Sequence, residues 1–192
     1  NGVPHPVGVI GYDNFGTVFN SLLAEQNISH HGIILDDTRP TTAKTRVIAD
    51  SQHIVRIDKE SKETIGQNIQ NKIFDYVKSI VKDLDGIILQ DYNKGVLSSS
   101  LISQIIELAN KNKILVTVDP KFNNFYEYKN VTVFKPNRKE AEDILGMKIK
   151  TDADISFAGS TLLKKLNAKN ILLTLGEGGI AVFEKGKPEK RM

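Results

Sequence analysis

Short, continuously apolar runs alternate with stretches of helical period along most of the chain, and this alternation restricts the folds open to it. "VGVIG" (7–11), "GIILQ" (86–90), "ILVTVD" (114–119), "VTVFKP" (131–136), "NILLT" (170–174) and "IAVFEKG" (180–186) have the length and apolarity of buried strands. Between them, a helix from about Gly16 is expected to turn Val18, Phe19, Leu22 and Leu23 inward. Apolar residues from Ile69 to Leu84 repeat at helical spacing, "SSSLISQIIELANKN" reads as a Ser-capped helix with Leu101, Ile102, Ile105 and Ile106 inward, and another helical run surrounds Leu162 and Leu163. The pattern predicts an α/β fold: a central, mostly parallel sheet with helices on both faces. Ligands in such sheets bind beyond the carboxyl ends of the strands.

One section departs from this rhythm. "HGIILDDTRPTTAKTRVIADSQHIVRID" (31–58) has β-type runs and no helical period, so it is expected to form a small antiparallel sheet, exposed on one side. The expected division is therefore an α/β core of residues 1–30 and 59–192, with 31–58 as a β-rich lid over a site or a dimerisation sheet. No internal repeat interrupts the pattern.

Bulk properties narrow the function. Lys and Arg exceed Asp and Glu by 26 − 23 = 3, without a long basic block, which favours a small anion over nucleic acid as the partner. The absence of Cys excludes disulfides, thiolate metal sites and thiol nucleophiles. No apolar run approaches the roughly 20 residues of a membrane span, and "NGVPHPVGVIGYD" lacks a charged start followed by an apolar core. A soluble, cytoplasmic protein with no membrane or nucleic-acid partner is expected.

The strand ends carry groups that a core does not require. Asp91-Tyr92-Asn93-Lys94-Gly95 follows "GIILQ", and Asp119-Pro120-Lys121 ends "ILVTV". Lys135-Pro136-Asn137 ends "VTVF", with Glu140 a turn later, and Leu175-Gly176-Glu177-Gly178-Gly179 follows "NILLT". In a parallel sheet these groups converge on one edge, where lysines suit phosphates, carboxylates suit a metal or a hydroxyl, and glycine admits a nucleotide. Asn137 and Glu140 admit two readings. They have the spacing of a reciprocal helix cap, and an Asn and a Glu opening a helix at a strand's end can face a phosphate and its metal ion. "GEGG" is a hairpin turn or a nucleotide loop, but not a Walker loop, because no Gly-Lys-Ser/Thr follows.

"DYNKGVL", "VDPK", "KPNRKEAEDILG" and "LLTLGEGGIAVF", in this order, resemble the ribokinase-like sugar kinases of the phosphofructokinase-B type. "VGVIGYDNFG" is similar to that family's Gly-x-Asp-x-x-Gly stretch, with Tyr12 where an acidic residue is common. "RPTTAKTRVIADSQHIVRID" looks most like the members that phosphorylate D-glycero-D-manno-heptose 7-phosphate in ADP-heptose synthesis. The resemblance implies ATP and Mg²⁺ as cofactors, with Asn137 and Glu140 near the phosphates and Glu140 reaching the metal through water. Thr174 and Gly176 would line the nucleotide site, and Lys121 would lie close to the transferred phosphates. Asp91 would face the sugar, Lys94, Lys44 or Arg46 would hold its 7-phosphate, and the β-rich section would be a lid shared across a homodimer.

The resemblance also implies a Gly-Ala-Gly-Asp segment that supplies the catalytic base and an anion-binding helix N-terminus. It is expected beyond Met192, and a first strand with a Gly-Gly sugar-binding segment is expected before "VGVIGYD". No catalytic residue is therefore expected within these 192 residues, and the chain as it stands is expected not to turn over. Two alternatives stay open: another ribokinase-like sugar or nucleoside kinase, and a non-catalytic module that binds a sugar phosphate or nucleotide.

Overall fold

The computed structural model describes residues 2–192. It forms two compact units, one of residues up to Ser79 with Lys94–Val96 and the other of Ile80–Asn93 with Leu97–Met192.

In the first unit, β1 (Gly8–Ile10) leads into α1 (Asn14–Glu25) and returns as β2 (Ile33–Leu35), which pairs with β1 in parallel. Asp13 caps α1, its carboxylate accepting from Gly16 N at 3.0 Å. The inward face expected for α1 is not observed. The helix buries Gly16, and Leu23 on the same face is half-buried, while Phe15, Val18, Phe19 and Leu22 are exposed. Gly16 sits where the helix closes onto Gly11 and Thr41.

The section expected as one antiparallel sheet divides in two. Ile33–Leu35 joins β1, while β3 (Ala43–Ala49) and β4 (Gln52–Lys59) form an antiparallel hairpin with a bulge at Val47/Ile48. Two residues per turn put Lys44, Arg46, Arg56 and Asp58 on one face and Thr45, Val47, Val55 and Ile57 on the other. Neither face is buried within this chain, because the apolar face leaves Val47 41% and Ile57 57% exposed. α2 (Gln67–Ile80) then buries Ile69, Ile73 and Val77 at the expected spacing.

The second unit holds a six-stranded sheet, ordered β10-β9-β8-β7-β6-β5. β5 (Gly86–Gln90), β6 (Leu115–Asp119), β7 (Val133–Phe134) and β8 (Asn170–Thr174) run parallel. β9 (Ile180–Glu184) and β10 (Lys190–Arg191) add antiparallel strands. α3 (Ser99–Lys111) packs on β6, α4 (Arg138–Leu145) on β8, and α5 (Asp152–Leu166) on β8 and β9. The core forms where alternate strand residues, Val116, Val118, Ile171 and Leu173, meet the buried faces of these helices. Phe125 stacks edge-on against Phe134 with centroids 4.9 Å apart. This is the mostly parallel α/β architecture that the strand and helix periods imply. No helix among the described residues is long and apolar enough to cross a membrane.

Candidate functional site

Strand register brings the ends of β5 to β8 together within the second unit. Gln90 lies beside Asp119, β6 and β7 stay in step at Val118 and Phe134, and a parallel bridge joins Asn137 to Thr174. Gln90 donates to Asp119 Oδ2 at 2.6 Å, and Lys135 Nζ pairs with Asp119 Oδ1 at 2.9 Å. Burial by itself would raise the Asp119 carboxyl. The hydrogen bonds from Lys135 and Gln90 outweigh it and hold that carboxyl below the ordinary range.

Asn137 caps α4 from extended backbone, its side chain accepting from Glu140 N at 2.8 Å, while Glu140 Oε2 accepts from Asn137 N at 2.9 Å. Both halves of the reciprocal cap are present. The second Glu140 oxygen takes Lys121 Nζ at 2.5 Å, and this contact, outweighing burial, raises the Lys121 ammonium above its ordinary value. Asn137 and Thr174 line a cleft of about 540 Å³ with Arg138, Lys139, Gly176 and Gly179. Gly176 and Gly179 adopt φ of 66° and 76°, which lets the backbone turn there without a side chain over the cleft. Asn137, Thr174 and Gly176 therefore share one cleft, while Lys121 and Glu140, joined to each other, are not among its lining residues.

The donors suit a nucleotide with its magnesium in one specific way. Glu140 is a single carboxylate whose two oxygens are held by Asn137 N and Lys121 Nζ. Mg²⁺ keeps several waters and uses one or two carboxylates plus phosphate oxygens, which is compatible with a donor set of this kind.

Asp91, expected to face a sugar, is only 3% exposed. Its Oδ2 accepts from Tyr128 Oη at 2.7 Å and Asn124 Nδ2 at 3.2 Å, and its Oδ1 from Asn93 N at 2.7 Å. Burial, followed by this hydrogen bond, drives the Tyr128 phenol far above its ordinary range. The carboxylate thus anchors the loop after β5 within this unit.

The remaining predicted residues lie in the first unit. Lys44 and Lys94 converge on Glu60, Lys44 at 3.1 Å from Oε2 and Lys94 in a short contact with Oε1. Hydrogen bonds from Lys94 and then Lys44 hold the Glu60 carboxyl below its ordinary value. Arg46 stands on the same hairpin face, directly across from Arg56, and outside that carboxylate pairing. In the same unit, Asp13 Oδ2 accepts from Thr41 N at 3.0 Å.

Sequence reasoning missed Glu60, Asn124, Tyr128 and Arg138. Tyr128 and Asn124 meet Asp91 across 37 and 33 residues of chain, separations with no local signature. Arg138 follows the cap directly in sequence, and it lines the cleft with a buried Nε that has no hydrogen-bond partner among the described residues.

The pfkB family of carbohydrate kinases matches residues 4–191. The chain belongs to that family. Over 180 residues, 94% of this chain, it is 41% identical to the bifunctional protein HldE of Helicobacter pylori strain J99. Over 178 residues, 93% of this chain, it is 38% identical to HldE of Geobacter sulfurreducens. It spans 39% and 36% of the lengths of these two proteins. Among solved structures, ribokinase from Giardia lamblia superposes with a TM-score of 0.76 at 18% identity, over 97% of this chain and 61% of that one. Arabidopsis thaliana ribokinase with ribose and ATP gives 0.71 at 20%, over 97% and 59%. These structures establish a shared ribokinase-like fold for this pfkB-family chain.

Proposed function

We propose that this pfkB-family chain is part of an ATP-dependent kinase that phosphorylates D-glycero-D-manno-heptose 7-phosphate at O1, giving the 1,7-bisphosphate for ADP-heptose and lipopolysaccharide core synthesis. The observation that carries the kinase reading is the strand-end cleft, where the Asn137 cap, Thr174 and the Gly176 turn stand together beside the Lys121–Glu140 pair. The heptose assignment rests on the resemblance of "DYNKGVL", "VDPK" and the hairpin sequence, supported by the identity to HldE over most of the chain.

Thr174, Gly176 and the α4 N-terminus bind the nucleotide in this reading, and Lys121 offsets charge on the phosphates. ATP with Mg²⁺ supplies the phosphoryl group and the cation that neutralises it, with Glu140 contacting that cation through water. Lys44, Lys94 and Arg46 hold the sugar's phosphate. Asp91 serves the sugar indirectly, by fixing the loop after β5. Two copies pair through the apolar hairpin face, which Val47, Val55 and Ile57 leave exposed, and the enzyme works in the cytoplasm.

The test is sugar-dependent ADP release by the full-length protein with ATP and Mg²⁺, with ³¹P NMR of the product. Phosphorylation at O1 of heptose 7-phosphate, faster than of fructose 6-phosphate, ribose or a nucleoside, is expected. Faster turnover of ribose or a nucleoside would replace the substrate assignment, and tight sugar-phosphate binding without turnover would replace the kinase reading.

A further inference from the structure

Lys44 and Lys94 are far apart in sequence, on β3 and in the loop after β5, yet their ammonium groups share one carboxylate. That carboxylate belongs to Glu60, just past the end of β4, and its side chain is only 13% exposed. The backbone beneath is fixed as well. Arg39 donates to Lys94 O at 2.6 Å and to Ser61 O at 3.1 Å, and Ile65 N donates to Gly95 O at 2.9 Å. Gly95 sits at φ 74°, so close to Glu63 that a Cβ would lie 1.8 Å from its carbonyl oxygen. Asp58 adds a second, longer contact to Lys44 at 3.6 Å.

Two ammonium groups repel one another, and free lysine side chains sample many rotamers. A shared carboxylate removes both obstacles. Each ammonium has three N–H donors and uses one on Glu60, leaving the others for a further acceptor. The surrounding hairpin face stays electropositive: Lys44, Lys94, Arg46 and Arg56 set four cations against the two carboxylates of Asp58 and Glu60.

We propose that Glu60 is the positioning residue of the sugar-phosphate subsite, holding Lys44 and Lys94 together so that both donate to one phosphate. The proposal rests on the assignment of those lysines to the sugar's phosphate. Glu60 does not touch the substrate. It acts through the two lysines, so its effect exists only while they are present.

A double-mutant cycle on the full-length protein tests this, with heptose 7-phosphate varied at saturating ATP. K94M alone checks the underlying assignment, and an unchanged sugar-phosphate KM for K94M and K44M would remove the subsite, and the proposal with it. With the lysines confirmed, E60A is expected to raise that KM about tenfold, the scale of one charge-assisted hydrogen bond. The kcat and the KM for ATP should hold, and E60D should recover part of the loss. E60A added to the K44M/K94M variant should cost little more than K44M/K94M alone, because both partners through which Glu60 acts are then gone. E60Q, closer to Glu in shape, takes the place of E60A if the latter melts early. An unchanged or lowered KM in E60A or E60Q, or a full tenfold loss on top of K44M/K94M, would overturn the proposal.

Discussion

Replacing Tyr128 by Phe removes one hydroxyl from a buried site. Tyr128 is fully buried, and its hydroxyl donates to Asp91 Oδ2 at 2.7 Å. In the variant, that oxygen keeps only Asn124 Nδ2, at 3.2 Å, while Asn93 N remains on the other oxygen. A hydrogen bond to a charged group contributes about 1.5–3 kcal/mol, and a buried acceptor left short of a partner incurs the desolvation cost. The expected loss is about 2 kcal/mol, which for a chain of this size lowers the melting temperature by roughly 4–8 °C. Urea unfolding followed by near-ultraviolet circular dichroism measures it. Tyr126→Phe is the control, since the Tyr126 hydroxyl reaches Ile144 O at a long 3.3 Å from a half-buried position, and it should cost under about 0.5 kcal/mol. Equal, small losses in the two variants would refute the view that Asp91 is a buried anchor dependent on Tyr128. A normal stability with a raised sugar KM in Tyr128→Phe would return Asp91 to the sugar.

Asn137→Ala should cost about 1 kcal/mol through the lost cap and should also raise the KM for ATP. Glu140→Gln keeps an acceptor for Asn137 N and loses only the half-exposed Lys121 pair, so a stability change under about 0.5 kcal/mol should accompany a clear defect in ATP–Mg²⁺ use. Normal kinetics in both variants would leave the motif a cap and nothing more. Gly95→Ala, forced into left-handed backbone against the Glu63 carbonyl, should lose more than about 2 kcal/mol in thermal melting, and a neutral result would discredit the loop geometry. Asp13 is held down from 3.8 to about 2 by hydrogen bonds from the Thr41 side chain, then from the Gly16 and Thr41 backbone. A carboxyl lowered by folding stabilises fully above its unfolded pKa and loses that contribution as the pH falls through its folded one. Melting between pH 4 and pH 2 should therefore fall more steeply in the wild type than in Asp13→Asn, and parallel curves would contradict the assignment.

The α/β class, the parallel strands β5 to β8 and the Asn137–Glu140 cap were legible in the sequence because each depends on local spacing. An apolar run of strand length, a 3.6-residue period and an Asn-x-x-Glu start act within a few residues of one another. The exposed stripe of α1 was not legible, because periodicity shows which residues share a face and not what that face meets. Ile33–Leu35 was assigned to the wrong sheet for a related reason: β-type residues pair equally well with either neighbour until the chain closes.

The sequence by itself determined that strand ends rich in Asp, Lys, Asn and Gly would meet along one edge of a parallel sheet, since alternating strands and helices leave little other arrangement. The tertiary structure decided which of those groups stay available. It buried Asp91 under Tyr128 and Asn124, tied Lys121 to Glu140, and drew Lys44 and Lys94 onto Glu60. Hydrogen bonds and ion pairs act over about 3 Å of space regardless of the length of chain between partners, so contacts spanning 16 to 37 residues leave no periodic trace in the sequence.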